Sequence, residues 1–180
     1  MNVAFWDLEC SNLQADYGQL LCGCILEYDP NKKTGFGKMH TFELPDYKGK
    51  RYDDKKLAMQ VRDQLHRYDI IVGYNSYQFD LPFLNTRLEQ WNCKGCLPRR
   101  HIDLMYTVRY KLRLHSSSLL SAQHALRLTE SKTSIKPTAW VRAMGGDHAS
   151  YRYIIDHCKK DVKVLCELFV KTKHLIREIK

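Results

Sequence analysis

The distribution of apolar residues along the chain predicts a sheet of five strands. Continuous apolar runs bounded by turn residues are typical of buried strands. The turn sequence Asp29-Pro30-Asn31 separates the second run from the third and indicates a hairpin. The five runs lie at residues 3–9, 19–28, 38–44, 70–74 and 101–104.

Apolar residues that recur every three or four positions predict helices between and after these strands. In the second helix, Leu81, Leu84 and Leu88 are expected to face the core; in the last, the apolar stripe extends to Ile176. The helices are predicted over residues 53–68, 79–91, 106–112, 118–126, 137–144 and 148–179. The polar segment 127–137 is predicted to be a loop. Strands that alternate with helices indicate an α/β fold, a five-stranded mixed sheet flanked by helices.

Composition narrows the class of protein. The 180 residues are expected to form one domain, residues 1–180, and the net charge of +9 suits a polyanionic partner such as nucleic acid. The chain has no apolar run that could span a bilayer and no signal-peptide pattern at its start, so a cytoplasmic location is expected. The seven cysteines are expected to be reduced. Cys93 and Cys96 have the spacing of half a zinc site, with His101 as a conceivable third ligand, but a second Cys pair is missing.

Asp7 and Glu9 end the first predicted strand and point to the same face, because side chains alternate along a strand. Two adjacent carboxylates stay ionised most easily when a cation lies between them, and oxygen ligands favour Mg²⁺ or Mn²⁺. The alternative is a strand end that emerges into solvent.

Three further polar residues extend this pattern. Asp80 begins a predicted helix, where it could equally be a capping carboxylate. His157 and Asp161 are four residues apart and share one helix face, either toward the sheet or toward solvent. Asp103 is expected to be mainly structural.

The chain resembles the DEDD superfamily of 3′→5′ exonucleases, which has a ribonuclease H-like fold. The resemblance rests on three ordered segments within one domain. They are FWDLECSNL at 5–13, GYNSYQFDLPFL at 73–84 and HCKKDV at 157–162. The second segment is most similar to the exonuclease domain of family-B DNA polymerases and to stand-alone exonucleases of this fold. In the third segment His157 stands four residues before Asp161, where one branch of the family has Tyr, whereas the other branch has His five residues before. The resemblance therefore leaves the branch open.

The resemblance implies hydrolysis of phosphodiester bonds with two Mg²⁺ or Mn²⁺ ions. It assigns Asp7, Glu9, Asp80 and Asp161 as metal ligands and His157 as the base that activates water. The segment Cys10-Ser11-Asn12-Leu13 would hold the terminal nucleotide, with Leu13 as a wedge against its base, and Asn75 would lie near the strand.

A helix with interleaved rings and cations, Tyr106, Arg109 and Tyr110, is expected to contact bases and phosphates, unless it is simply an amphipathic helix with a solvated face. The basic residues Lys132, Lys136 and Arg142 could close over the strand. The expected partner is the 3′ end of single-stranded DNA or RNA, with DNA favoured, and proofreading would need a separate polymerase. The alternatives are a structure-selective endonuclease and a non-catalytic nucleic-acid-binding module.

Overall fold

A mixed sheet in the order β3-β2-β1-β4-β5 organises the molecule. The computed structural model describes residues 1–44, 53–130 and 135–176. Its strands are β1 (Val3–Cys10), β2 (Leu20–Tyr28), β3 (Phe36–Glu43), β4 (Ile70–Gly73) and β5 (His101–Asp103). The predicted five-stranded sheet is confirmed, with strand ends that differ by one or two residues.

The central strand β1 is antiparallel to β2 and parallel to β4, which is parallel to β5. The carboxyl ends of β1, β4 and β5 therefore meet at one edge of the sheet. A register shift between Glu9 and Cys10 ends the regular pairing of β1 at this edge. Loops that leave these three strands consequently converge on one place.

The described part of the chain contains the six predicted helices. They are α1 (Lys55–Leu65), α2 (Asp80–Gln90), α3 (Leu104–Lys111), α4 (Leu119–Leu126), α5 (Pro137–Met144) and α6 (His148–Thr172). The prediction for the last helix was too long, because α6 gives way to a 3₁₀ turn over Lys173–Leu175 and its final predicted residues, 177–179, lie outside the described ranges. The hydroxyl of Thr172 donates to the carbonyl of Leu168, a side-chain bond that competes with regular helix pairing.

Helix α6 packs against β1, β2 and β3 and supplies much of the core. Its residues Val162, Leu165 and Phe169 are buried, and the Phe169 ring meets the Phe5 ring edge-on at 5.2 Å. Ile176 is also buried, but it follows the 3₁₀ turn. Since α6 lies directly over the sheet, polar residues on its inner face are brought to β1.

Helices α1 and α2 pack together, and α1 covers part of β2 and β3. In α2, Leu84 and Leu88 are buried as expected, but Phe83 is buried in place of Leu81, which is only half-buried. The helix begins at Asp80, whose side chain is held by β1, and this anchor sets the rotation of α2 about its axis. No helix in the described ranges is long and apolar enough to cross a membrane.

All seven cysteines are free thiols. Cys93 donates through Sγ to the carbonyl of Trp91 at 3.6 Å, and the backbone N–H of Cys96 donates to Asn85. His101 is paired with Ser76 at 2.8 Å. Within the described ranges these residues form no metal-ligating cluster, so the half zinc motif has a structural role here.

Candidate active site

Asp7 and Glu9 lie side by side on β1, opposite Cys24 and Cys22 of β2. Glu9 is buried, so it does not emerge into solvent at the end of the strand. One ligand atom each from Asp7, Glu9 and Cys158 lie within 4.8 Å of one another. The Cys158 thiol also donates to the backbone carbonyl of Asp7 at 3.5 Å. The two carboxylates therefore face α6.

Asp80 is the first residue of α2 and is buried beside β1. Its Oδ1 accepts the backbone N–H of Leu8 at 3.1 Å. The helix-capping position is taken by Phe79, so the bond of Asp80 to β1 replaces the expected alternative of a capping carboxylate. This bond fixes a third carboxylate next to Asp7 and Glu9.

His157 and Asp161 share the buried face of α6, which contradicts the alternative of a solvent-exposed pair. His157 Nε2 lies 3.6 Å from Asp161 Oδ2 and 3.8 Å from Glu9 Oε1. The imidazole is therefore placed between a helix carboxylate and a strand carboxylate. Five of the residues selected from the three motifs thus meet around one point.

This cluster opens into a cleft of about 460 Å³. Asp7 and Asp161 lie on its wall together with Asn75 and the cation Arg109. The cleft is also lined by Tyr74, Gln78, Met105, Ser117, Ser118 and Leu119. Anionic oxygens and one guanidinium thus face a common space large enough for part of a nucleotide.

The turn after β4 shapes one wall of the cleft. Asn75 adopts a left-handed conformation (φ 58°), and its N–H donates to Asp103 Oδ1 at 2.8 Å. Asp103 also accepts the N–H groups of Tyr77 and Met105 at 3.1 and 3.0 Å. Burial raises the pKa of Asp103, although these backbone donors oppose the shift. Asp103 is therefore structural, as expected.

Close packing at the same turn requires a glycine. A Cβ atom on Gly73 would lie 2.0 Å from Ser76 Oγ, which is nearer than two such atoms can approach. The Tyr74 hydroxyl then donates to the carbonyl of Ser117 at 2.6 Å and ties the turn to the segment before α4. These contacts hold Asn75 in the wall of the cleft.

The loop between β1 and β2 carries the segment expected to hold a terminal nucleotide. Ser11 closes the loop through two bonds with Gln19, both at 3.0 Å. Within the loop, Asn12 accepts the N–H of Gln14 at 3.1 Å, and Leu13 is 78% exposed. An exposed leucine on a closed loop is free of the core, so the predicted wedge has room to act.

Cys10 stands where this loop begins. Burial of its thiol, followed in effect by the negative charges of Asp80, Glu9 and Asp7, raises the pKa of Cys10 well above its ordinary value. The residue retains some exposed surface, but its thiol is enclosed. Cys10 is thus a neutral neighbour of the carboxylates.

A buried ion pair secures the same loop from below. Asp54 is fully buried and accepts Arg87 Nε and Nη2 at 2.8 and 2.9 Å, the Trp91 indole N–H at 2.7 Å and the backbone N–H of Leu20 at 2.8 Å. Arg87 Nη1 donates onward to the carbonyl of Ala15 at 3.2 Å. The loop is therefore attached to α1 and α2.

The structure divides the residues selected on α3 between two surfaces. Arg109 lines the cleft, whereas Tyr106 and Tyr110 line a separate groove on another flank of the helix. Lys132 lies outside the described residues, and Lys136 and Arg142 are exposed at the start and end of α5. A closing role for these cations stays a prediction.

The donor set fits a hard divalent cation. Burial raises the pKa of the Cys158 thiol well above its ordinary value, so this sulfur stays protonated and is not a ligand at neutral pH. The ionised donors around Asp7 and Glu9 are then all oxygens, as Mg²⁺ and Mn²⁺ prefer. Cys158, Gln78, Ser117 and Ser118 were not selected from the sequence. Of these, Cys158 could have been found from its position next to His157 on the inner face of a helix.

Comparisons with known proteins agree with this geometry. A family model described as the RNase H superfamily matches residues 4–173. The fold is similar to that of a family B DNA polymerase from the hyperthermophilic archaeon Pyrobaculum calidifontis, with a TM-score of 0.71 and 19% identity. That match covers 94% of this chain and 24% of the polymerase chain, so this chain spans about a quarter of the polymerase's length. The search of curated proteins gave no match. The chain belongs to the RNase H superfamily.

Proposed function

We propose that this nuclease-like chain is a metal-dependent 3′→5′ exonuclease that removes nucleotides from single strands, with DNA favoured over RNA. One observation supports it most strongly. Three segments far apart in the sequence bring Asp7, Glu9, Asp80, His157 and Asp161 together, and two of the carboxylates line an open cleft. Membership of the RNase H superfamily supports the coarser statement of nuclease activity.

The carboxylates would hold the cations. Asp7 and Glu9 share one face of β1, Asp80 is fixed to Leu8 between them, and Asp161 reaches in from α6. Two Mg²⁺ or Mn²⁺ ions, when bound, would lower the pKa of a water and neutralise charge on the phosphate. The rigid placement of the donors on one strand and two helices means that little reorganisation is needed on binding.

His157 would accept the proton of the attacking water at Nε2. An imidazole is a suitable base near neutral pH. The carboxylates of Asp161 and Glu9, 3.6 and 3.8 Å away, would face the positive charge that then forms on the ring. Because His157 is buried on the inner face of α6, the ring is held in place by packing.

The residues around the cluster favour a free strand end as substrate. Arg109 would meet a phosphate in the cleft, and Asn75 would lie beside the strand. Leu13 projects from the closed loop after β1 and would press against the terminal base. A wedge of this kind needs an end that can separate from its neighbours, which supports action on a single-stranded 3′ terminus.

The test is digestion of matched 3′-labelled and 5′-labelled single-stranded DNA and RNA in Mn²⁺. We expect the 3′ label to appear at once as mononucleotide, the 5′ label to give a descending ladder, and a chelator to stop both. Asp7→Asn and Asp161→Asn should each abolish turnover. Asp156→Asn is the matched control, because Asp156 is an exposed carboxylate on the same helix α6.

Different results select the alternatives. Cutting of a circular single strand would indicate an endonuclease. Binding without any turnover in Mg²⁺ or Mn²⁺ would indicate a non-catalytic module. Full activity of Asp7→Asn and Asp161→Asn would refute the assignment of the site.

A further inference from the structure

We infer that a groove between α3 and the edge strand β5 binds bases of the single strand several nucleotides away from the end held in the cleft. The inference rests on the proposed function and extends it to the rest of the substrate. The groove has a volume of about 440 Å³ and lies on the flank of α3 that carries Tyr106, Tyr110 and Lys111. Its remaining walls are formed by Tyr77, His101, Ile102, Asp103, Thr107, Leu175 and Ile176.

A path of aromatic rings runs through the groove from the interior to the surface. The Tyr77 ring lies 4.2 Å from that of His101 and 6.3 Å from that of Tyr106. The Tyr106 and Tyr110 rings are parallel to within 3°, with centroids 6.2 Å apart. Exposure rises along the path, from 8% at His101 to 46% at Tyr77 and 70% at Tyr110. The outer rings therefore present open faces on which bases can stack.

The inner part of this path is held in place by hydrogen bonds. The Tyr77 hydroxyl donates to the carbonyl of His101 at 2.7 Å, and His101 pairs with the Ser76 hydroxyl at 2.8 Å. The backbone N–H of Tyr77 donates to Asp103. Rings that are already ordered lose little entropy when a base stacks on them.

The groove and the cleft share a wall. Gln78 lines the cleft, and its Nε2 donates to the Tyr106 hydroxyl at 3.3 Å. Successive helix positions are about 100° apart, so Met105 and Arg109 face the cleft while Tyr106 and Tyr110 face the groove. A strand that leaves the cleft beside Arg109 can therefore cross the exposed part of α3 and reach the rings.

The charges around the groove suit a polyanion. Lys111 lines the groove, Arg109 lines the cleft beside it, and Arg113 follows at the end of the helix. Asp103, the carboxylate in the groove wall, is occupied by three backbone N–H donors. Cations beside stacking rings are the arrangement with which proteins bind single strands without sequence preference.

Helix stabilisation and β-strand addition fit the rings and the groove less well than nucleic acid does. A pair of tyrosines four residues apart stabilises a helix by only a few tenths of a kcal/mol, and it does not account for the second ring path through Tyr77 and His101. A protein segment could add to the edge of β5, but β5 has only 3 residues and offers few backbone groups. Parallel rings with adjacent cations favour nucleic acid.

The experiment measures binding by fluorescence anisotropy in excess chelator, so that no strand is cut. Three labelled single strands are compared: one of about 3 nucleotides, one of about 12, and an abasic strand of the longer length. The variants are Tyr110→Ala and Tyr110→Trp, and Leu97→Ala is the control, because Leu97 is an exposed apolar residue outside the groove and the cleft, near His66. Thermal melting checks that each variant is folded.

We expect Tyr110→Ala to weaken binding of the long strand about tenfold, with binding of the short and abasic strands unchanged. Tyr110→Trp should retain binding, because a larger ring can still stack, and Leu97→Ala should have no effect. Unchanged binding of the long strand by Tyr110→Ala would overturn the inference and leave the groove to a protein partner. An equal loss on the abasic strand would also overturn it, since bases would not be involved.

The outcome can be separated from that of the proposed function. Wild-type protein that degrades 3′ ends but binds the long strand no more tightly than the short one refutes the groove alone. Protein that binds the long strand through Tyr110 but does not hydrolyse it in Mg²⁺ or Mn²⁺ refutes the exonuclease alone.

Discussion

Replacing Asp54 by alanine tests whether a buried ion pair holds the loop beside the cleft. In the wild-type protein, Asp54 is fully buried and neutralises Arg87, whose side chain is only 10% exposed. Asp54→Ala leaves this guanidinium buried without its carboxylate and removes the acceptor of the Leu20 and Trp91 N–H groups. Breaking a buried pair in this way costs about 3–5 kcal/mol, a large part of the stability of a domain of this size.

The assay is urea unfolding followed by circular dichroism, applied to a double-mutant cycle. Arg87→Met strands the carboxylate in turn, whereas the variant with both substitutions has no buried charge. We therefore expect the two substitutions to couple by at least about 2 kcal/mol. The control is Glu43→Ala at the exposed pair with Arg152, whose side chains are 34% and 49% exposed, and which should cost less than about 1 kcal/mol.

The same change should alter substrate binding. Arg87 also donates to Ala15, and Leu20 donates to Asp54, so both ends of the loop with Leu13 depend on the pair. We expect KM for a single strand to rise in Asp54→Ala while kcat is largely retained. The reasoning is refuted if Asp54→Ala costs no more stability than Glu43→Ala, or if the two substitutions of the cycle are simply additive.

Three further changes test separate parts of the structure. His157→Ala should slow single-turnover hydrolysis about 10²-fold and spare binding, and an unchanged rate would move the base elsewhere. Burial lowers the pKa of His101 to about 4, whereas the unfolded chain is protonated near its ordinary value of 6.5, so stability falls as pH drops from 6.5 to 4. The slope attributable to His101 is about 1.4 kcal/mol per pH unit; it should be absent in His101→Gln, and equal urea titrations of both proteins would contradict this. Gly73→Ala should cost about 1–3 kcal/mol through its clash with Ser76, whereas Gly145→Ala, whose Cβ would approach no atom closer than 3.3 Å, is the control that should be near neutral; equal losses would exclude the clash.

The strands and the motif residues could be predicted because each leaves a local signal. Apolar runs marked the strands, and the alternation of side chains placed Asp7 and Glu9 on one face. The four-residue spacing placed His157 and Asp161 on one face of a helix. Their convergence is a property of the strand order, which the ordered motifs implied only by resemblance.

Tertiary contacts without a local signal could not be predicted. The pair of Asp54 and Arg87 joins residues 33 positions apart, and neither lies in an apolar repeat that would mark it. The inward face of α2 shifted from Leu81 to Phe83 because a bond from Asp80 to β1 sets the rotation of the helix. The division of α3 into two flanks, by contrast, follows from helix geometry and could have been predicted.

The end of the sheet opposite the carboxylate cluster has a practical use. There the backbone N–H of Asn2 donates to Asp69, Asp69 pairs with the exposed Arg99, and Leu97 projects with 85% of its surface accessible. Contacts of this kind add little stability, so the surface tolerates chemical change. Coupling the protein to a sensor chip through a group introduced at Leu97 would leave the carboxylate cleft pointing into the liquid, where strands can be threaded and withdrawn without obstruction.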